Sequence, residues 1–174
     1  MKSIPSSVYK SIRQLAEGAL EGDWVLLGGA LLPVLGIEIR VTTDIDLVPL
    51  SSQGNSSLSM AFKFSEQAHL PIESVNSAAL YFLEKIPKFR DHLVVLHEWE
   101  KGRLYRPNLV LFLQLKLARF SESDYLDCVE MVKLEGSSIK LDDKKRLKTL
   151  LKEKKSKLRG DQKVWIEKLF ELLE

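Results

Sequence analysis

The sequence predicts an α/β fold of the α+β kind, a small mixed sheet flanked by helices and followed by a C-terminal helical part. Three apolar runs of strand length, beginning near Trp24, Ile45 and Leu93, all lie in the first 105 of the 174 residues. After them, apolar residues recur only at helical spacing, which indicates helices alone. We therefore expect an α/β core over residues 1–105 and a helical part over residues 106–174, packed on that core.

Composition and charge indicate an ordinary globular protein. The chain is 45% hydrophobic and 29% charged, and its net charge of +2 points to no particular partner. The one cysteine, Cys128, excludes an internal disulfide framework and fits a reducing compartment. The N-terminus shows no basic-then-apolar leader, and the longest uncharged run, residues 24–37, is too short to span a bilayer. We expect a cytoplasmic protein that does not contact a membrane.

The elements of the first half follow from apolar spacing and from turn residues. We expect, in chain order, a helix from Ser6 or Ser7 to about Leu20, a strand from Trp24 to Leu27, a stub of helix within residues 29–35 limited by Pro33, a strand over residues 43–48, helices over residues 57–69 and 76–85, and a strand over residues 93–96 with a short return at Leu104-Tyr105.

The helical part is predicted from its caps and its glycines. We expect helices over about residues 107–120, 124–134, 142–158 and 161–173, with a capping box at Ser121–Asp124 and stops at Gly136 and Gly160.

The stretch from Trp24 to Leu50 carries the candidate chemistry. Gly28-Gly29 follows the first strand, where twin glycines allow a ligand to approach the backbone closely and the next helix offers free N–H groups to an anion. Asp44 and Asp46 alternate with apolar residues at period two, so both carboxylates are predicted on one face of a strand. Two such carboxylates, about 6 to 7 Å apart at Cα, can converge on one Mg²⁺ ion. The alternative is a pair of solvated aspartates at a strand edge.

The order Gly28-Gly29 and then Arg40-x-Thr42-x-Asp44-x-Asp46 resembles the signature of the polymerase-beta-like nucleotidyltransferase superfamily. The resemblance is closest to its small prokaryotic branch, which includes the AbiEii-type toxins of toxin–antitoxin and abortive-infection systems. It implies a nucleotidyltransferase fold, Mg²⁺ as cofactor, a nucleoside triphosphate as substrate and a cognate antitoxin as partner. By the same resemblance, Arg40 and Thr42 belong to the signature. On physical grounds we expect them to support the loop or to contact phosphate, and the alternative is that they are ordinary surface residues.

A second block of the chain is similar to toxins of this branch, which have a helical lysine followed by a later aspartate. Lys116 and Asp124, with Asp127 one turn on, match in type and order. The resemblance implies that Lys116 places a point charge on the triphosphate. The alternative for Asp124 is a role as a helix cap that complements the helix dipole.

A third metal carboxylate is common in related enzymes. Glu98, at the end of the strand that begins at Leu93, is the candidate, and Glu100 is held in reserve. The alternative is a solvated glutamate in a charged turn.

Residues 140–159 contain ten Lys or Arg and three Asp or Glu, so this segment carries +7 while the rest of the chain carries −5. This pattern is typical of the solvated face of an amphipathic helix. The alternative is a phosphate-contacting surface for RNA or DNA, although no aromatic residues are interleaved with the charges.

The leading hypothesis is therefore a Mg²⁺-dependent nucleotidyltransferase that moves a nucleotide from an NTP to a hydroxyl of an RNA, tRNA included, or of a protein, with a toxin-type role. Two alternatives stay open. One is a degenerate nucleotidyltransferase fold that binds a nucleotide or a partner without turnover, and the other is an antitoxin-like partner protein.

Overall fold

The computed structural model describes residues 4–37, 42–50 and 55–174 and confirms the mixed α/β class. The chain divides into two compact units, Met1–Pro107 and Asn108–Glu174, two residues beyond the predicted boundary. In the ranges just given, no helix is both long and apolar enough to cross a bilayer.

The first unit contains a five-stranded mixed sheet with helices. Its elements in chain order are α1 (Ser6–Ala19), β1 (Gly22–Leu27), α2 (Leu31–Val34), β2 (Ile45–Pro49), α3 (Asn55–Gln67), β3 (Val75–Asn76), α4 (Leu80–Leu83), β4 (Leu93–Trp99) and β5 (Gly102–Pro107), with 3-10 turns at Ile72–Ser74 and Phe89–His92. The strand order is β3-β2-β1-β5-β4.

Strand β1 lies at the centre of this sheet because its apolar run is buried on both faces. Trp24, Val25, Leu26 and Leu27 are each at most 2% exposed. Strand β2 pairs with β1 in antiparallel fashion and β5 pairs with it in parallel, while the short β3 runs parallel to β2. The edge strand β4 is antiparallel to β5. This arrangement carries the end of β1 and its glycine bend alongside the beginning of β2.

Several predicted boundaries of the first unit change in the structure. The N-cap of α1 is Pro5, which makes no side-chain cap, so the capping role predicted for Ser6 or Ser7 is wrong. The hairpin β4–β5 is longer than predicted, since both strands continue into residues assigned to a charged turn. The helix predicted over residues 76–85 is wrong. Its first residue belongs to β3, and only the single turn α4 is helical.

The second unit consists of four helices, α5 (Leu109–Arg119), α6 (Glu122–Glu135), α7 (Leu141–Lys157) and α8 (Asp161–Leu172). Helix α5 starts later than its proline indicates, because the Asn108 side chain accepts a hydrogen bond from Leu111 N at 3.0 Å and is the N-cap. The capping box that opens α6 and the end of that helix at Gly136 are confirmed. The core takes one apolar stripe from each helix, including Leu113, Met131, Leu147, Leu151, Ile166 and Leu169, all fully buried.

Candidate functional site

The glycine bend and the second aspartate of the motif lie against each other. In the β1–β2 pair, Asp46 stands opposite Leu27, the residue that precedes Gly28. Gly28 has φ +69°, a left-handed conformation that disfavours any side chain, and a Cβ placed there would stand 1.8 Å from Oδ2 of Asp46. The bend therefore has to be glycine so that the carboxylate can lie on its backbone.

The predicted alternation along β2 is observed from Ile45 onward. Ile45 and Leu47 are at most 1% exposed, whereas Asp46 between them is half-buried. The strand begins one residue after Asp44, which is also half-buried. Convergence of the two carboxylates on one ion stays a prediction.

Thr42 has a local role that the motif alone does not reveal. Its side chain is buried, and its hydroxyl both donates to the carbonyl of Asp44 at 3.3 Å and accepts from the amide of Asp44 at 3.4 Å. Such a side-chain turn fixes the chain just before β2. Thr42 thus positions Asp44, and this agrees with the loop-supporting alternative. Arg40 lies outside the described residues.

Helix α2 is shorter than a phosphate cradle requires. Its single turn, Leu31–Val34, begins at Ala30 rather than at the glycines. A helix of one turn sums few peptide dipoles, so the predicted phosphate contact with a helix N-terminus has no support. We therefore expect an anion to contact the backbone amides of Gly28 and Gly29 instead.

A neighbour of Asp46 that the sequence did not predict is Asn76 on β3. The two residues are register partners across the parallel β2–β3 pair, so their side chains lie on the same face of the sheet. The Asn76 side chain accepts a hydrogen bond from Ala78 N at 2.8 Å, which turns the chain away after two strand residues. A two-residue strand has no periodicity, and only the Asn-Ser turn signal could have indicated it.

Glu98 is not brought to the aspartates, which corrects its prediction as a third ligand of their metal. It pairs in register with Arg103 on β5, which pairs with Asp23 at the start of β1, four residues before Leu27. Glu98 and Asp46 are therefore separated by three strand spacings and four residues of rise, roughly 14 Å across and 13 Å along the sheet. Glu98 instead forms an exposed ion pair with Arg103 at 2.8 Å.

Glu98 and Glu100 both line an open groove of about 440 Å³ at that opposite end of β1. The groove carries cations and anions in equal number, Arg90, Lys101 and Arg103 against Asp23, Glu98 and Glu100. Neither glycine of the bend nor either motif aspartate lines it. The groove is therefore separate from the candidate site.

In the second unit, the predicted lysine and aspartates form one buried cluster. Lys116 Nζ lies 2.6 Å from Asp127 Oδ2 and 3.4 Å from Asp124 Oδ1. Arg119 donates to both oxygens of Asp124, at 2.9 and 3.0 Å, and Ser121 donates from its amide and its hydroxyl. The predicted cap role of Asp124 is confirmed, and Arg119 is a member of the cluster that the sequence did not single out. Its i,i+5 spacing to Asp124 across a helix break gave no periodic signal.

The cluster is electrically balanced, with two cations and two carboxylates. Burial opposes ionisation of Asp124, but hydrogen bonds from Arg119 and Ser121 and the charge of Lys116 outweigh it, so the pKa of Asp124 lies well below its usual range. Burial raises the pKa of the neighbouring Cys128 thiol. Cys128 is thus an inert thiol packed beside the cluster.

The donor set at the glycine bend fits a hard cation in kind. Asp44 and Asp46 offer carboxylate oxygens, which Mg²⁺ prefers, and it commonly takes one or two carboxylates with substrate phosphates completing its shell. No group of three His, Cys, Asp or Glu side chains within residues 4–37, 42–50 and 55–174 is placed to hold a metal ion.

Comparison of this chain with protein-family models, with characterised proteins and with solved structures finds no significant match in any of the three.

Proposed function

We propose that this protein is a Mg²⁺-dependent nucleotidyltransferase that transfers a nucleotide from an NTP to a hydroxyl acceptor. The observation that carries the proposal is the position of Asp46, whose carboxylate rests on the backbone of Gly28 at the junction of β1 and β2. That contact brings together the two halves of the motif, which are distant along the sequence. A carboxylate beside backbone amides is what a metal-bound polyphosphate requires.

The residues have distinct roles in this proposal. Asp44 and Asp46 would hold the Mg²⁺, and the amides of Gly28 and Gly29 would contact the phosphates. Thr42 fixes the chain that presents Asp44. The bound metal would supply charge neutralisation for the triphosphate. The acceptor oxygen forms a bond to the α-phosphorus, the bond to the bridging oxygen breaks, and pyrophosphate and the hydroxyl proton leave. The protein contributes orientation of the reactants and charge placed in advance.

The observed contacts of Lys116 support its predicted contact with the triphosphate less well than the sequence motif does. Its ammonium group is already held by two buried carboxylates, and a phosphate would have to replace Asp124, the more distant of them at 3.4 Å. Contact of Lys116 with the triphosphate, and a catalytic role for Asp124, stay predictions.

The toxin-type role, the cognate antitoxin and the choice of an RNA, a tRNA or a protein as acceptor rest on the resemblance. The choice of acceptor is tested by incubating the protein with Mg²⁺ and each α-labelled NTP, with total RNA or with a protein extract as acceptor. Transfer of label into one fraction, with release of pyrophosphate, identifies both the reaction and the acceptor class. The double variant Asp44→Asn/Asp46→Asn is the control and is expected to abolish that transfer.

A binding module without turnover is the second candidate, and the position of Glu98 favours it. With Glu98 at the far end of β1, no third carboxylate among the described residues joins Asp44 and Asp46 in a metal-holding group. If NTP binds with Mg²⁺ and no label is transferred to either acceptor, the module is the better description.

A further inference from the structure

We propose that the second unit binds single-stranded nucleic acid at the end of the helix bundle where α5 and α7 finish and α6 and α8 begin. The glycine bend belongs to the first unit, and the inference does not depend on the transferase proposal. It rests on a basic segment and a stacked aromatic pair, which are distant in sequence and which the fold brings to the same end.

The four helix ends are joined by direct contacts. Lys154 Nζ, near the end of α7, donates to the carbonyl of Ala118 in the last turn of α5 at 3.5 Å. Gln162, in the first turn of α8, donates to the carbonyl of Phe120, the C-cap of α5, at 2.9 Å. The loop between α5 and α6 and the loop between α7 and α8 therefore lie side by side.

Aromatic rings occupy this end. Tyr125 of α6 and Trp165 of α8 stack with centroids 5.3 Å apart and planes 9° from parallel. Phe120 meets both rings nearly edge-on and is fully buried, whereas Tyr125 and Trp165 are only half-buried. Phe120 thus supports the pair from inside and leaves aromatic surface facing solvent, where a base can stack.

Positive charge is concentrated in one segment at this end. Residues 154–163 contain five Lys or Arg and one Asp. Lys155 is neutralised by Glu167 at 2.7 Å. The exposed side chains of Lys157, Arg159 and Lys163 have no ion-pair or hydrogen-bond partner among the residues that the structure describes. The Arg119 side chain is 74% exposed although its guanidinium holds Asp124.

The combination of cations and stacked aromatic rings fits single-stranded nucleic acid better than it fits other polyanions. Cations track phosphates without regard to sequence, and aromatic faces stack on bases that are free of a duplex. An acidic peptide would use the cations but not the stack. A duplex would keep its bases inside.

The test is fluorescence anisotropy with a labelled oligo(U) RNA of about 12 nucleotides, in roughly 50 to 300 mM KCl with EDTA and no NTP. Lys157→Gln/Arg159→Gln is expected to reduce the slope of log affinity against log salt by about 1.4, roughly 0.7 for each phosphate that no longer meets a cation. The matched control is Lys140→Gln/Lys145→Gln. It removes the same charge from two exposed lysines at the other end of α7, on the order of 20 Å away, and should leave the slope unchanged.

The aromatic pair is tested separately. Trp165→Leu should weaken binding by roughly tenfold, while Trp165→Phe, which keeps a ring in the stack, should stay within about threefold. Unlabelled oligo(U) should quench tryptophan emission in the wild type but not in Trp165→Phe.

The proposal is overturned if oligo(U) does not bind at the lowest salt concentration, or if the two double variants lose affinity equally. It is also overturned if a duplex of the same length, or polyglutamate, competes as well as oligo(U). Since the assay contains neither metal nor NTP, its outcome is independent of whether label transfer is found.

Discussion

Oδ2 of Asp46 lies 1.8 Å from the point where a Cβ of residue 28 would stand, so the glycine bend and the aspartate are complementary in shape. The pairing of Leu27 with Asp46 in the β1–β2 register brings them together. A chain without this contact could keep both parts of the motif and still not bring them together.

Gly28→Ala should destabilise the protein more than Gly36→Ala does. Both glycines have positive φ, +69° and +87°, so each substitution carries a backbone penalty of about 1 to 2 kcal/mol. No described atom stands within 4 Å of a Cβ at Gly36, whereas at Gly28 the new methyl group displaces the Asp46 carboxylate. Overpacking there should add about 1 to 3 kcal/mol, measured as the difference in free energy of unfolding in urea. Equal losses in the two variants would show that the carboxylate is not held at the bend.

Lys116→Met should lower the free energy of unfolding by about 3 to 5 kcal/mol, because it removes a buried cation 2.6 Å from Asp127. Adding Asp127→Leu should restore much of that loss, since an apolar pair needs no compensating charge. The exposed pair Lys133–Glu130 is the control, and Lys133→Met should cost less than about 1 kcal/mol. Strictly additive losses in the double variant would mean that Lys116 and Asp127 are not coupled.

The contribution of Asp124 to stability should disappear in acid. Its pKa is lowered in the folded protein, so the unfolded chain takes up the proton first as pH falls. The stabilisation is therefore complete above about pH 4, the ordinary pKa of aspartate, and decreases progressively below it. The gap in unfolding free energy between wild type and Asp124→Asn should narrow from about pH 6 to about pH 2.5. Asp142→Asn, at a side chain that is 96% exposed, should show a small gap throughout. A gap for Asp124→Asn that is constant with pH would contradict the ionised cap.

Glu98→Gln should leave Mg²⁺-dependent nucleotide binding unchanged, because Glu98 lies at the opposite end of β1 and pairs with Arg103. The loss of this exposed ion pair should cost less than about 1 kcal/mol of stability. Calorimetric titration of NTP in the presence of Mg²⁺ checks the first statement. Weaker NTP binding by Glu98→Gln than by the wild type would show that Glu98 does contribute to the metal and nucleotide site.

The sheet was predictable where the sequence carries long apolar runs. Strands β1 and β2 are predictable because the apolar runs at residues 24–27 and 45–48 are most readily buried within a sheet. The two-residue β3 is not, and the apolar residues Ala79, Leu80, Phe82 and Leu83 predict a helix in its place. The Asn76 side chain bends the backbone there, and a local side-chain turn outweighs four apolar residues at helical spacing.

The candidate site was predictable in its residue types but not in its distances. Asp46 and the glycine bend come together through the antiparallel pairing of β1 with β2, which apolar patterning does not specify. Glu98 was placed in the site because sequence gives no strand order, and the insertion of β5 between β1 and β4 moves it away. The Tyr125–Trp165 pair could not be predicted from sequence either. Its two residues are far apart along the chain, and the packing of α8 on α6 brings them together.

The measurement that tests the central claim most directly is the single-turnover rate of label transfer from the preferred α-labelled NTP with Mg²⁺. It compares wild type, Asp46→Asn and Glu98→Gln. We predict that Asp46→Asn lowers the rate at least about a hundredfold, since even outer-shell partners of a metal ligand are worth roughly 10- to 100-fold, while Glu98→Gln stays near wild type. Transfer by Asp46→Asn at the wild-type rate would contradict the assignment of the metal and phosphate site to the glycine bend.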